Sequence, residues 1–210
     1  MTESSGQARQ AVREAAEVRG AQATLEIAPQ PRMRADAQRS RAKLLTAATA
    51  AFMSKGADAP LEEIARQAGV GIGTLYRHFP TRLDLQEAVF RNQVQAVCDE
   101  GAELIRWPSP GEAFARWLQA LASYLATKRG LTAALVAADG SKAQVVSTCS
   151  MAIRSTAERL LARAQETGEV RDDLDPTELM MLIHGMIVAS ELHPEKSDRL
   201  MTLLLEGIRG

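Results

Sequence analysis

Aromatic residues, cysteines and long apolar runs are all scarce in this sequence. Aromatic residues make up only 4% of the 210 residues, and β-branched residues are sparse beside the helix-forming alanine, leucine and methionine. The two cysteines, Cys98 and Cys149, make no disulfide framework, and no Cys-x-x-Cys motif or Cys/His cluster offers a metal site. We therefore expect an all-α protein with no metal and no cofactor.

Targeting and membrane-spanning patterns are missing as well. The sequence contains no run of about 18 apolar residues, the length that a membrane helix needs. Residues 1–35 lack the apolar core of a signal peptide. We therefore expect a cytoplasmic protein with no membrane partner.

The sequence also lacks a recognisable catalytic set. His78, His184 and His193 have no obvious catalytic partner nearby in the sequence. The Gly-x-Gly-x-Gly spacing of residues 69–73 suggests a nucleotide-binding loop, but it follows an alanine-rich helix and has no Gly-Lys-Ser/Thr ending. An enzyme is therefore not predicted.

The distribution of charge says more than its sum. The net charge of −1 gives no global basic field, whereas residues 31–90 carry nine basic and six acidic side chains and residues 91–210 carry thirteen and sixteen. This asymmetry is compatible with an N-terminal surface that faces DNA. Residues 1–35 are polar and are predicted to form a flexible tail.

Four helix signals follow the tail. From Ala37, apolar residues recur at three- and four-residue spacing, which predicts an amphipathic helix ending at Ser54–Gly56. A second helix is predicted from Pro60 to Ala68, and a third from Ile72 to His78. Thr81 is the predicted N-cap of a fourth helix.

Residues 61–79 have the pattern of a helix-turn-helix. Ala65 is small enough for two helices to approach closely, and Gly69 stands where the turn requires a positive φ. Four apolar residues are spaced to fill one shared core: Ile64, Val70, Leu75 and Phe79. The third helix then presents an outward set that suits a DNA major groove: Gly71, Ile72, Gly73, Thr74, Tyr76 and Arg77.

Residues 61–85, LEEIARQAGVGIGTLYRHFPTRLDL, resemble the DNA-binding signature of the tetracycline-repressor (TetR) family. The likeness includes the end of the first helix: Ala50, Ala51, Phe52 and Gly56. The resemblance implies a three-helix DNA-binding domain over residues 36–82. It also implies a helical ligand-sensing and dimerisation domain over residues 83–210, with about nine helices in all.

The resemblance implies a role for each matched position. Three residues match positions that contact DNA phosphates: Thr74, Tyr76 and His78. Three match positions that face base edges: Gly71, Ile72 and Gly73. Two match the start of the fourth helix, where a backbone N–H and a basic side chain hold a phosphate: Thr81 and Arg82.

Other contacts follow from the residues themselves. Arg39 and Arg41, at the start of the first helix, are candidates for the flanking DNA backbone or minor groove. Because the two glycines offer no hydrogen-bonding side chain, base readout is expected to rest on Ile72, Arg77 and DNA shape. Two alternatives stay open: Tyr76 packs on the helix bundle, and Arg77 is a solvated charge.

Beyond the fourth helix, five more helices are predicted: 111–127, 131–138, 142–168, 176–191 and 196–208. The last two are apolar around more than one face, so they need more partners than one small domain offers. The resemblance implies that they pair with their copies in a four-helix bundle. Such a homodimer sets two recognition helices roughly 34 Å apart, the spacing of successive major grooves in a palindromic operator.

The C-terminal helices also carry the candidate residues for a small-molecule effector. Five side chains are candidate ligand contacts: Trp107, Trp117, Tyr124, Met151 and His184. The low charge of the central helices favours a largely apolar effector, and Lys142 is expected at a solvated loop position. The predicted function is a repressor released from its operator by a small molecule. The alternatives are a DNA-binding protein without an effector and an activator with the same fold.

Overall fold

The computed structural model describes residues 31–127, 129–138 and 141–210, and it confirms the all-α prediction. One 3₁₀ helix, Pro194–Lys196, and one isolated bridge between Val170 and Arg209 accompany the α-helices of this part of the chain. The α-helices are α1 (Pro31–Lys55), α2 (Leu61–Gln67), α3 (Ile72–His78), α4 (Arg82–Leu104), α5 (Pro110–Thr127), α6 (Arg129–Ala137), α7 (Ser141–Glu166), α8 (Pro176–Leu192) and α9 (Ser197–Gly207).

The chain divides into two units, with the boundary between Arg39 and Ser40. In the described part of the first unit, α1 begins, and the exposed Arg39 forms an ion pair with Asp36. The second unit contains the remaining helical structure. No helix among the described residues has the length and apolar character needed to cross a membrane.

Helix α1 begins at Pro31, ahead of the predicted start at Ala37. Proline is tolerated in the first helical turn because the N–H that it lacks has no partner there. Pro31 is therefore compatible with a helix that starts before Ala37. The remainder of the predicted tail, residues 1–30, lies outside the described residues.

The turns on either side of α2 use glycine as predicted. Gly56 has a φ of +80° and Gly69 a φ of +67°, in the left-handed region that side chains rarely adopt. The Gly69 N–H donates to the Arg66 carbonyl at 3.1 Å, and the Val70 N–H donates to the Ala65 carbonyl at 3.0 Å. These bonds close α2 and turn the chain towards α3.

Two clusters of buried side chains form the interior. The first lies under the first four helices and contains Ile64, Leu75 and Phe79 as predicted, with Val70 half-buried against it. The second is formed by the C-terminal helices and by the later part of α4. Helix α4 belongs to both clusters, because its buried Leu85 and Val89 lie in the first and its buried Phe90 and Val94 lie in the second.

Candidate nucleic-acid interface

One face of α3 is open to solvent. Leu75 is fully buried, and Phe79, which follows the helix, is nearly so. These two side chains anchor α3 to the protein interior. The opposite side presents the set that the sequence predicted: Gly71, Ile72, Gly73, Tyr76 and Arg77 are exposed, while Thr74 and His78 are half-buried. Tyr76 is 45% exposed, so its ring does not fill the core.

The charges around α3 favour an anion. Arg77 and His78 stand in its last turn, and its first turn contains no acidic residue. Arg41 of α1 places its guanidinium 5.4 Å from the centroid of the Phe79 ring, at the end of α3. The exposed Arg41 therefore lies beside the candidate phosphate-binding residues.

The N-terminus of α4 is closed by a capping box. The Thr81 hydroxyl accepts from the Asp84 backbone N–H at 3.1 Å, and Asp84 Oδ2 accepts from the Thr81 backbone N–H at 3.0 Å. Asp84 Oδ2 also lies 2.7 Å from Thr81 Oγ1. The backbone N–H that the family resemblance assigns to a phosphate is thus bonded to a carboxylate in this structure, and its phosphate contact stays a prediction.

Arg82 turns towards the protein rather than the open face of α3. Its Nη1 donates to the Ala59 carbonyl at 2.6 Å and to the Ala57 carbonyl at 3.3 Å. One turn later, Gln86 is only 3% exposed, and its Nε2 donates to the Ala57 carbonyl at 2.9 Å. Arg82 and Gln86 therefore tie α4 to the loop between α1 and α2, and a phosphate contact by Arg82 stays a prediction.

Sequence patterns did not single out Gln86. A glutamine within a helical pattern is ordinarily placed on the solvated face, and its partner lies 29 residues away in the chain. The available signal was its position four residues after Arg82, on the same face of α4. Reading these two polar residues as a pair would have indicated a common target.

The five predicted effector residues do not meet in one cavity. Trp117 is fully buried, with its Nε1 donating to the Val97 carbonyl at 3.0 Å. Tyr124 is also buried, and this burial raises the pKa of its hydroxyl. The others are exposed: Trp107 stacks under Arg116 at 4.4 Å, Met151 is 69% exposed, and His184 lies on the open face of α8.

A groove does lie among α5, α8 and α9. Its volume is about 590 Å³, and it is lined by Gln119, Ala122, Ser123, Met186, Ile187, Ser190, Ser197, Asp198, Met201, Thr202 and Leu205. A second groove of about 620 Å³ lies on the other side of α9 and includes Leu182, Leu200 and Leu203. None of the five predicted effector residues lines either groove.

The chain matches known regulators at both ends. Residues 44–89 match the family described as bacterial regulatory proteins of the tetR family, and residues 109–210 match the SbtR-like transcriptional regulator C-terminal domain. The TetR transcriptional regulator SCO0520 of Streptomyces coelicolor is 36% identical, with a TM-score of 0.68, and the match covers 80% of this chain and 98% of that one. The chain belongs to the TetR family of transcriptional regulators.

Two further relatives are also transcriptional regulators. The TetR transcription regulatory protein of Mycobacterium vanbaalenii is 34% identical, with a TM-score of 0.70, over 84% of this chain and 99% of that one. The HTH-type transcriptional regulator SrpR of Pseudomonas putida is 38% identical over 60 residues, which is 28% of this chain and 28% of SrpR. The likeness to SrpR therefore spans less than a third of either protein.

Replacing the buried amide of Gln86 tests its role in holding the loop before α2. The Ala57 carbonyl accepts from both Arg82 and Gln86, and Gln86→Leu removes the second of these donors. We therefore expect a loss of roughly 1–3 kcal/mol in the free energy of unfolding. Urea denaturation measures this loss. The matched control is Gln95→Leu on the same helix, because Gln95 is exposed and its Nε2 donates to the exposed Asp99, at 2.7 Å. Equal losses in the two variants would contradict the assignment.

Proposed function

We propose that this TetR-family regulator is a repressor that binds a palindromic operator as a homodimer and is released by a small molecule. The observation that carries the proposal is the exposed face of α3, which presents Tyr76 and Arg77 to solvent while the segment is anchored by the buried Leu75 and Phe79. In this reading residues 36–82 bind DNA and residues 83–210 sense the effector and dimerise.

The side chains of α3 suit a major groove with sparse base readout. Tyr76 and Arg77 are long and exposed, so they reach a phosphate or a base edge from a short helix. Gly71 and Gly73 have open space around their α-carbons, which lets the backbone come close to DNA but supplies no hydrogen-bonding side chain. Base discrimination then depends on Ile72 against a thymine methyl group, on Arg77 and on DNA shape.

The outer face of α8 supports a homodimer. Met181 is 70% exposed and Leu192 is 78% exposed, and Leu182 and Val188 are open as well. Gly185 lies between them with open space, so a second helix can approach closely. An apolar face of this kind is unfavourable in water and is typical of a protein–protein contact.

The groove among α5, α8 and α9 is the proposed effector site. Its volume of about 590 Å³ lies within the range of small-molecule sites. Its lining combines apolar side chains such as Met186 and Ile187 with hydroxyl groups such as Ser123 and Thr202, and its charged lining residue is Asp198. The proposed effector is therefore amphipathic, with an apolar body and hydrogen-bonding groups.

Selection from random-sequence DNA duplexes tests operator binding. We expect a palindromic sequence to be recovered, with an affinity that falls as salt rises because phosphate contacts release counterions. Tyr76→Ala and Arg77→Ala should each weaken binding by roughly tenfold, in line with the worth of a phosphate or base contact. Arg159→Ala is the control, since Arg159 is an exposed arginine of α7, outside the helix-turn-helix. Failure to recover any sequence, or equal affinity in all variants, would refute the proposal.

A charge on the outer face of α8 tests dimerisation. Leu182→Glu buries a carboxylate in the proposed four-helix bundle, so analytical ultracentrifugation should show the mass of one chain instead of two. Val136→Glu makes the same change at a residue of α6 that is also exposed, and this variant should stay dimeric. A wild-type protein that sediments as one chain at micromolar concentration would contradict the homodimer.

Filling the groove tests the effector site. Ser123→Trp occupies part of the groove, so a compound that releases wild-type protein from its operator should no longer release this variant. Ser150→Trp is a matched control, because both serines are exposed and donate to the carbonyl four residues earlier, at 3.0 Å for Ser123 and 2.8 Å for Ser150. Release of both variants at the same concentration would place the effector elsewhere.

A further inference from the structure

Lys142, at the start of α7, contacts two carboxylates of α4. Its Nζ lies 2.7 Å from Asp84 Oδ1 and 2.5 Å from Glu87 Oε2. Lys142 is 58 residues from Asp84 in the chain and 55 residues from Glu87. The three side chains are shielded from solvent for most of their area, with Lys142 at 21% and Glu87 at 19% exposed.

The charges in this cluster depend on one another. Hydrogen bonds from Lys142 and Thr81 lower the pKa of Asp84, and hydrogen bonds to Asp84 and Glu87 raise the pKa of Lys142. Burial acts to raise the pKa of Glu87, but hydrogen bonds from Lys142 and Arg91 lower it, so the charged form of all three groups is favoured. Arg91 contacts Glu87 from the outside at 2.8 Å, so Lys142 is the inner cation of a cluster of two acids and two bases.

The same Asp84 carboxylate reaches the start of α4. While Oδ1 bonds to Lys142, Oδ2 bonds to the backbone N–H and hydroxyl of Thr81, the residue at which a DNA phosphate is expected. A carboxylate that bonds to Thr81 lies close to the expected phosphate and repels it unless a cation compensates its charge. Lys142 supplies that charge, and it does so from a helix that lies in the C-terminal cluster of buried residues.

We propose that Lys142 is a positioning residue for DNA binding, which holds the start of α4 and neutralises the carboxylates beside the phosphate position at Thr81. This inference rests on the proposed operator binding. Lys142 then contributes to the affinity for DNA although it lies on α7, outside the helix-turn-helix. Without Lys142, the Asp84 and Glu87 carboxylates would lose this compensating cation, and Glu87 would keep its contact with Arg91.

The test compares operator affinity among four variants at low and moderate salt, with unfolding curves to confirm that each variant is folded. Lys142→Met should weaken binding by roughly tenfold at low salt and by less at moderate salt, because salt screens the repulsion. Lys142→Arg should recover most of the affinity. The double variant Lys142→Met with Glu87→Gln should recover part of it, since one repelling charge is gone.

Arg154→Met is the matched control. Arg154 is also on α7 and is paired with an acid, Glu158, at 3.0 Å, so the variant loses the same charge from the same helix. Its affinity should stay close to that of wild type. The inference is overturned if Lys142→Met binds as tightly as Arg154→Met, or if removing the Glu87 charge restores nothing. Absence of operator binding by wild type would instead refute the proposed function.

Discussion

The burial of a single helix in two hydrophobic clusters is the constraint on which the rest of this structure depends. The first turns of α4 place Leu85 and Val89 under the helix-turn-helix, and the following residues, from Phe90 onward, enter the C-terminal interior. Close-packed interiors deform little, so a displacement of α4 is felt in both clusters. Arg82 and Gln86 extend this constraint to the loop before α2.

The packing of the helices indicates how a ligand in the proposed effector groove would change the position of the proposed DNA-binding face. The groove between α5, α8 and α9 does not touch α4, but α5 packs on both α8 and α4. Helix α7 makes the most extensive contact with α4 and carries Lys142 to its start. A ligand needs to favour one arrangement of these helices by only a few kcal/mol in order to change the population that binds DNA.

Local signals in the sequence predicted the helices well, whereas long-range contacts were beyond them. Helix α3 has the predicted bounds and Gly69 the predicted φ, because caps and turns depend on neighbouring residues. Lys142 was expected at a solvated position, yet its side chain is largely shielded and its carboxylate partners are far away in the chain. Trp117 was a candidate effector contact, yet it is fully buried and bonded to the Val97 carbonyl, because a sequence pattern does not tell whether neighbouring atoms already fill the space around a side chain.

Gly71 and Gly73, at the start of α3, have a consequence for the proposed recognition of an operator. A surface with two missing side chains has little chemistry with which to reject a mismatched base pair at those positions. Many near-matches in a chromosome then compete for the same molecules, and occupancy depends on the number of such decoys as well as on affinity. Under the proposed operator binding, selective control therefore requires operators whose shape, and not only whose bases, sets them apart from the background.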